Sequence, residues 1–209
     1  MQVQPLTPSA LVDRLVDRLL ADAGPDRVRV LLDGAPVTHP GRTADALVAP
    51  LRARGRAVLR VSAADFLRPA GVRFEFGRQD PDALLDTALD SGALVREVLA
   101  PLGRDGDGSY LPALRDAEHD RSARARRLPA PAGAVLLLDG GLLLGRGLPV
   151  EVAVHLAVRP DTLARLTPAD QAWRLAAEQR YRAEARPEES ADVVVRVDDP
   201  RRPAWVVRG

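Results

Sequence analysis

Apolar residues recur along this chain with two periods, and the changes between them mark out the elements. Leu11, Val12, Leu15, Val16, Leu19 and Leu20 return at helical spacing, with Asp13, Arg14, Asp17 and Arg18 opposite. This predicts an amphipathic helix within residues 1–25 that docks on the rest of the chain. Thr7 or Ser9 can cap it, Pro8 suits its first turn, and Gly24-Pro25 stops it. Short apolar runs at 28–32, 57–61, 134–139, 151–158 and 191–197 predict strands, that at 134–139 being the most clearly buried. Helical patterns follow Thr43, begin at Pro81, run from Leu94 to Leu99, and fill 161–185 with a break at Thr167-Pro168. Strands alternating with helices predict an α/β fold whose parallel sheet is covered on both faces. In such a fold ligands gather at the carboxyl ends of the strands. Asp33, Asp65 and Asp139 all fall there.

Two stretches resist this reading. Residues 66–80 are rich in glycine, arginine and aromatic residues and hold every phenylalanine, Phe66, Phe74 and Phe76. Residues 103–109 alternate glycine with aspartate but lack the spacing and the final glutamate of a calcium loop, so they predict a solvated turn.

Composition narrows the classes. At 209 residues with 46% hydrophobic and 28% charged residues, the chain suits one globular domain, 1–209. A formal net charge of +1 gives no reason to expect nucleic acid or an acidic membrane as partner. No apolar run approaches a membrane span, and the N-terminus lacks the form of a signal peptide, so the expected location is cytoplasmic. The absence of cysteine excludes thiolate metal sites and a cysteine nucleophile. All 30 basic residues are arginine, so a missing lysine at any one place is partly a property of the whole chain.

The stretch with most chemical content follows the first strand of 28–32. Asp33-Gly34 opens a loop that ends Gly41-Arg42-Thr43 and leads into a helix, the layout of a phosphate-binding loop. In the pattern G-x-x-x-x-G-K-[ST], backbone N–H groups wrap phosphate, lysine neutralises it and the hydroxyl binds magnesium. Here arginine stands for lysine. Gly34 lies two positions too early, and Pro36 and Pro40 each remove a donor. A turn without a ligand is an equal reading of this motif alone. Asp139-Gly140 could orient magnesium, and Asp65 could take a proton from an acceptor hydroxyl. Arg165, Arg174 and Arg180 on the late helices could close over a phosphate.

Taken together and in order, these stations resemble the uridine kinase family of P-loop nucleoside kinases. The carrying stretches are Leu32-Asp33-Gly34 leading to Gly41-Arg42-Thr43, Ala64-Asp65-Phe66-Leu67-Arg68-Pro69, Arg73 with Phe76-Gly77-Arg78 and Asp80-Pro81, Asp116 with Asp120, Val135 to Gly140, Arg180-Tyr181, and Ala191 to Val195 with Asp199-Pro200. The resemblance implies a P-loop NTPase-type three-layer sandwich with a mostly parallel five-stranded sheet. It implies transfer of the γ-phosphate of ATP or GTP, with Mg2+, to the 5′-hydroxyl of a pyrimidine nucleoside. Gly34, Gly41, Arg42 and Thr43 would hold the nucleotide, Thr43 and Asp139 the metal, and Arg42 and Asp65 would serve catalysis. Arg73, Asp80, Tyr110, Asp116 and His119 would line the nucleoside pocket, and 161–185 would form a lid. Nucleoside and nucleotide are the implied partners, with self-association left open. Where the family places its base, this chain has Ala64, with Asp65 beside it. With the altered loop and a lid short of arginines, the alternative is a catalytically inactive kinase-fold protein that binds a nucleotide, nucleoside or protein partner.

Overall fold

The computed structural model describes residues 2–21, 24 and 26–207. The chain runs β1 (Gln2–Pro5), α1 (Pro8–Leu20), β2 (Val28–Gly34), α2 (Pro40–Ala53), β3 (Val58–Ser62), α3 (Pro81–Asp86), β4 (Val135–Gly140), β5 (Val152–Ala157), α4 (Pro160–Leu166), α5 (Arg174–Ala185), β6 (Val193–Arg196) and β7 (Ala204–Val207). Short turns and two-residue ladders fill the gaps. Pro25, expected to help stop α1, lies outside the described residues.

The sheet has seven strands in the order β1-β7-β6-β5-β2-β4-β3. The five from β3 to β6 are parallel; β7 and β1 extend the sheet antiparallel. The parallel core matches the five expected strands. The two extra strands were missed because each is four residues long and one of them, β1, is exposed throughout. β2 lies in the middle and is buried almost end to end, so its sequence reads as a continuous apolar run.

Each face of the sheet carries a helical layer. Leu15, Leu19, Leu47 and Leu51 of α1 and α2 pack on Val30, Leu32, Leu137 and Val154. On the other face Phe66, Leu94, Val98, Leu99, Tyr110 and Tyr181 cover Leu31, Leu136 and Leu138. Helix α1 starts as its sequence demands: Thr7 Oγ1 accepts from the Ala10 N–H at 3.2 Å, with Pro8 as first residue. Residues 91–99 form a helical turn that widens into a π-helix over Val95–Leu99 before Pro101 ends it. The expected break in the late helices is present, with a short 3₁₀ turn at Ala169–Gln171 between α4 and α5.

Candidate functional site

The carboxyl ends of β2, β3, β4 and β5 meet at one edge, and the loop after β2 decides what that edge can hold. Helix α2 begins at Pro40, earlier than expected, so Gly41, Arg42 and Thr43 belong to its first turn. Pro36–Thr38 is a 3₁₀ turn, and His39 turns the chain into the helix through a left-handed conformation, φ 52°. The Thr38 N–H donates to the Ala35 carbonyl at 2.8 Å and that of His39 to Pro36 at 3.1 Å. The Arg42 and Thr43 N–H groups both donate to the His39 carbonyl, at 3.0 and 3.3 Å. With prolines at 36 and 40, no two successive N–H groups between Pro36 and Thr43 are left to face a ligand.

The interior of the loop is filled as well. Thr38 Oγ1 donates to the Ala35 carbonyl at 2.7 Å and sits against Gly34, where a Cβ would come within 2.4 Å of it. A hydroxyl of the protein thus lies over the glycine from which the phosphate cradle was expected to spring. The Arg42 side chain is exposed and has no partner among the described residues.

Asp139, expected to face magnesium, is 8% exposed and already has a cation. Arg60 on β3 donates Nη1 to Asp139 Oδ1 at 2.7 Å and to the Leu137 carbonyl at 3.0 Å. The same guanidinium reaches Asp45 Oδ1 through Nε at 3.0 Å and the Gly41 carbonyl through Nη2 at 3.3 Å. The second Asp139 oxygen lies beside Gly41, where a Cβ would be 3.1 Å away, and accepts from Ser62 Oγ at 3.5 Å. One carboxylate oxygen is therefore held by Arg60, and the other faces Gly41 with a long contact to Ser62 Oγ. No group of three or more metal-ligating side chains occurs among the described residues. The residues present do not fit a triphosphate-bound Mg2+.

Residues 63–66 form a tight turn after β3 that presents Ala63 and Ala64 to a cavity and turns Asp65 away from it. The Asp65 carboxylate lies near the Ser62 backbone instead. Burial, then the charge of Asp139, pushes its pKa up.

That cavity, of about 430 Å³, lies under residues 73–89 and the 140–146 turn. Arg73 and Asp80 line it. Asp80 also caps α3, its Oδ1 accepting from the Asp82 and Ala83 N–H groups at 2.8 and 3.0 Å. Tyr110, Asp116 and His119 do not line it. Tyr110 is buried in the core, and burial raises its pKa. Asp116 accepts from His119 Nδ1 at 2.8 Å and Arg121 Nε at 3.1 Å on a surface hairpin. A wider cavity of about 780 Å³ lies between the β2–α2 loop, α4 and α5, and shares Pro36, Arg174 and Glu178 with the first. Of the late arginines, Arg174 lines both cavities and Arg165 the wider one. Arg180 is bound by Asp82, Asp86 and Glu184 instead, and those carboxylates hold its pKa up.

A buried network fixes these walls. Asp33 is fully buried. It accepts from His155 Nδ1 at 2.7 Å, the Tyr181 hydroxyl at 2.8 Å and the Leu143 N–H at 2.9 Å. The Tyr181 hydroxyl in turn accepts from the Leu144 N–H at 3.1 Å. Burial, and then the Asp33 charge, drives the Tyr181 pKa far up, which keeps that hydroxyl a donor. Helix α5 and the 142–144 turn are thus anchored to the end of β2. Sequence reasoning missed Arg60, Arg146 and Glu178. Arg60 alone left a signal, a charge inside an otherwise apolar strand.

No family model and no curated protein matches the sequence. The fold, in contrast, is shared with solved structures. A "Possible Uridine Kinase" from Bacillus stearothermophilus superposes with a TM-score of 0.71 at 19% identity, over 88% of this chain and 96% of that one. A protein designated a fructose transport system kinase, from Silicibacter sp. TM1040, gives 0.59 at 21% identity over 89% and 95%. A D-glycerate 3-kinase from Cryptococcus neoformans var. grubii gives 0.55 at 16% over 87% and 84%. The chain has the fold of the P-loop kinases.

Proposed function

We propose that this is a uridine kinase-like protein in which γ-phosphate transfer is weak or lost, and which keeps a cleft for a pyrimidine nucleoside. The closed loop carries the reading. A triphosphate is held in this fold by successive inward N–H groups, and Thr38, His39, Arg42 and Thr43 direct theirs to loop carbonyls. Two further features support it. Arg60 neutralises Asp139, and Ala64 stands in the cleft where a proton acceptor would be needed. The cleft itself is intact. Phe74 and Trp173 line it, with Arg73 and Arg78 stacked on the first ring and Arg174 on the second, and its volume lies within the usual range for small-ligand sites.

The test is calorimetry with Mg·ATP and Mg·GTP, followed by phosphorylation assays on uridine and cytidine. The expected result is no binding of either triphosphate at millimolar concentration, no appreciable turnover, and measurable uridine binding. Turnover that Arg42→Ala abolishes would overturn the proposal.

A further inference from the structure

The narrower cleft carries more positive charge than a neutral nucleoside requires. Four arginines line it, Arg73, Arg78, Arg146 and Arg174, against two acids, Asp80 and Glu178. Arg73 is engaged, with the Arg68 and Ala117 carbonyls at 2.7 and 3.4 Å and Asp120 at 3.9 Å. The other three have no ion-pair partner among the described residues. Arg78 lies over the Phe74 ring at 5.2 Å, and Arg174 over Trp173 at 5.5 Å. Arg174 also reaches Gln171 Oε1 at 3.4 Å.

Arg146 is the most telling. Its guanidinium is half-buried between the Leu142 and Leu85 carbonyls, which take Nε and Nη2, and Nη1 has no acceptor among the described residues. Burial pulls its pKa down, and the charges of Asp86 and Asp33 offset only part of that fall without pairing with it directly. Neither acid that lines the cleft forms an ion pair with it among the described residues. Asp80 Oδ1 is taken by the start of α3, and burial pushes the Glu178 pKa up to about 7, so near neutrality its charge is partial. Asp139, just outside, is matched by Arg60.

We propose that this cleft receives a phosphomonoester dianion, held by Arg146, Arg174 and Arg78 without a divalent cation. The inference rests on the reading of this cleft as the nucleoside site and adds an anionic group to its ligand. Charge-assisted hydrogen bonds from guanidinium groups suit a phosphate's three terminal oxygens. The metal that ordinarily accompanies phosphate in this fold is not needed where arginines supply the charge.

The experiment is calorimetry of the full chain with UMP, uridine and phenyl phosphate, in EDTA and again in millimolar Mg2+. UMP should bind at least about tenfold more tightly than uridine, equally with and without Mg2+. Arg146→Gln should bring UMP close to uridine. If that variant misfolds by circular dichroism, Arg174→Gln, on a half-exposed side chain, should narrow the same gap. Equal affinity for UMP and uridine, or binding of UMP only with Mg2+, overturns the proposal and leaves the nucleoside cleft standing. UMP binding no better than phenyl phosphate, with no uridine binding, supports the phosphate site and removes the nucleoside reading. Binding of none of the three overturns both.

Discussion

Replacing Glu178 by glutamine tests the electrostatics of the site through stability, without any ligand. The carboxyl lies on α5 at the junction of the two cavities. Burial, and secondarily the charge of Asp33, pushes its pKa up from 4.5 to about 7. Arg174, Arg182 and His155 offset part of that rise. A folded-state pKa above the unfolded value means that the native chain retains a proton the unfolded chain has released. Stability therefore falls as pH rises through the window from about 4.5 to about 7, and the full penalty is present above it. At about 1.36 kcal/mol per unit the shift corresponds to roughly 3 kcal/mol. Water reaches the carboxyl from both cavities, which reduces this to about 1–2 kcal/mol.

Glutamine has the same shape and no charge to bury. At pH 4 the variant and the parent should unfold at nearly the same urea concentration. At pH 8.5 the variant should be the more stable by about 1–2 kcal/mol, or about 3–6 °C in Tm for a chain of this size. Urea titrations followed by circular dichroism at both pH values measure the difference, in which groups common to both proteins cancel. A gain of equal size at both pH values would refute the charge argument in favour of packing. A loss at pH 8.5 would mean that Glu178 makes a net favourable pair with Arg174 or Arg182.

Two further substitutions probe the loop and the strand-end acid. Gly34→Ala places a methyl 2.4 Å from Thr38 Oγ1 and 3.0 Å from the Leu156 Cβ, so it should destabilise the chain by about 1–3 kcal/mol in chemical denaturation. If the loop were instead open over Gly34, the change would be neutral. Asp139→Ala strips the partly buried Arg60 of its main counterion and should cost about 3 kcal/mol, with added Mg2+ leaving the melting temperature of the parent unchanged. Stabilisation of the parent by Mg2+ that is lost in Asp139→Ala would place the metal on that carboxylate after all.

The fold was legible because its signals are local and repeated. The runs at 28–32 and 134–139 could only be buried strands, and Thr7-Pro8 set the start of α1. The two outer strands were not legible, since four exposed or mixed residues have no periodicity to read. Within the site, sequence spacing located the stations at the strand ends, Gly34, Gly41, Thr43 and Asp139, but not what surrounds them. It could not say where side chains point. Asp65 neighbours the cleft in sequence, and the turn at 63–66 sends its carboxylate back to Ser62. Asp116 and His119 match one another and not the cleft. Arg180 looked like a lid cation and is held by three acids, two of which lie nearly a hundred residues away. Such pairings depend on tertiary contacts that no local pattern encodes.

The alterations at the strand ends are mechanically one change. Arg60 joins Asp139 of β4 to the Gly41 carbonyl and to Asp45, both in α2, so the strand-end acid is tied to the helix that follows the loop. That helix starts at Pro40 because His39 turns left-handed and offers its carbonyl to two N–H groups. The turn before it holds Thr38 over Gly34. Opening the loop to a triphosphate would release the N–H groups of Arg42 and Thr43 from His39, move Gly41 away from Arg60, and leave a guanidinium and a carboxylate half-paired at the site. Each step removes a partner that the next one needs. A lysine at position 42 would therefore restore the letter of the phosphate-loop pattern and none of its geometry. Three arginines without an ion-pair partner among the described residues, Arg78, Arg146 and Arg174, line the cleft beyond Ala64, and it is there, not in the loop, that an anion would find free guanidinium groups.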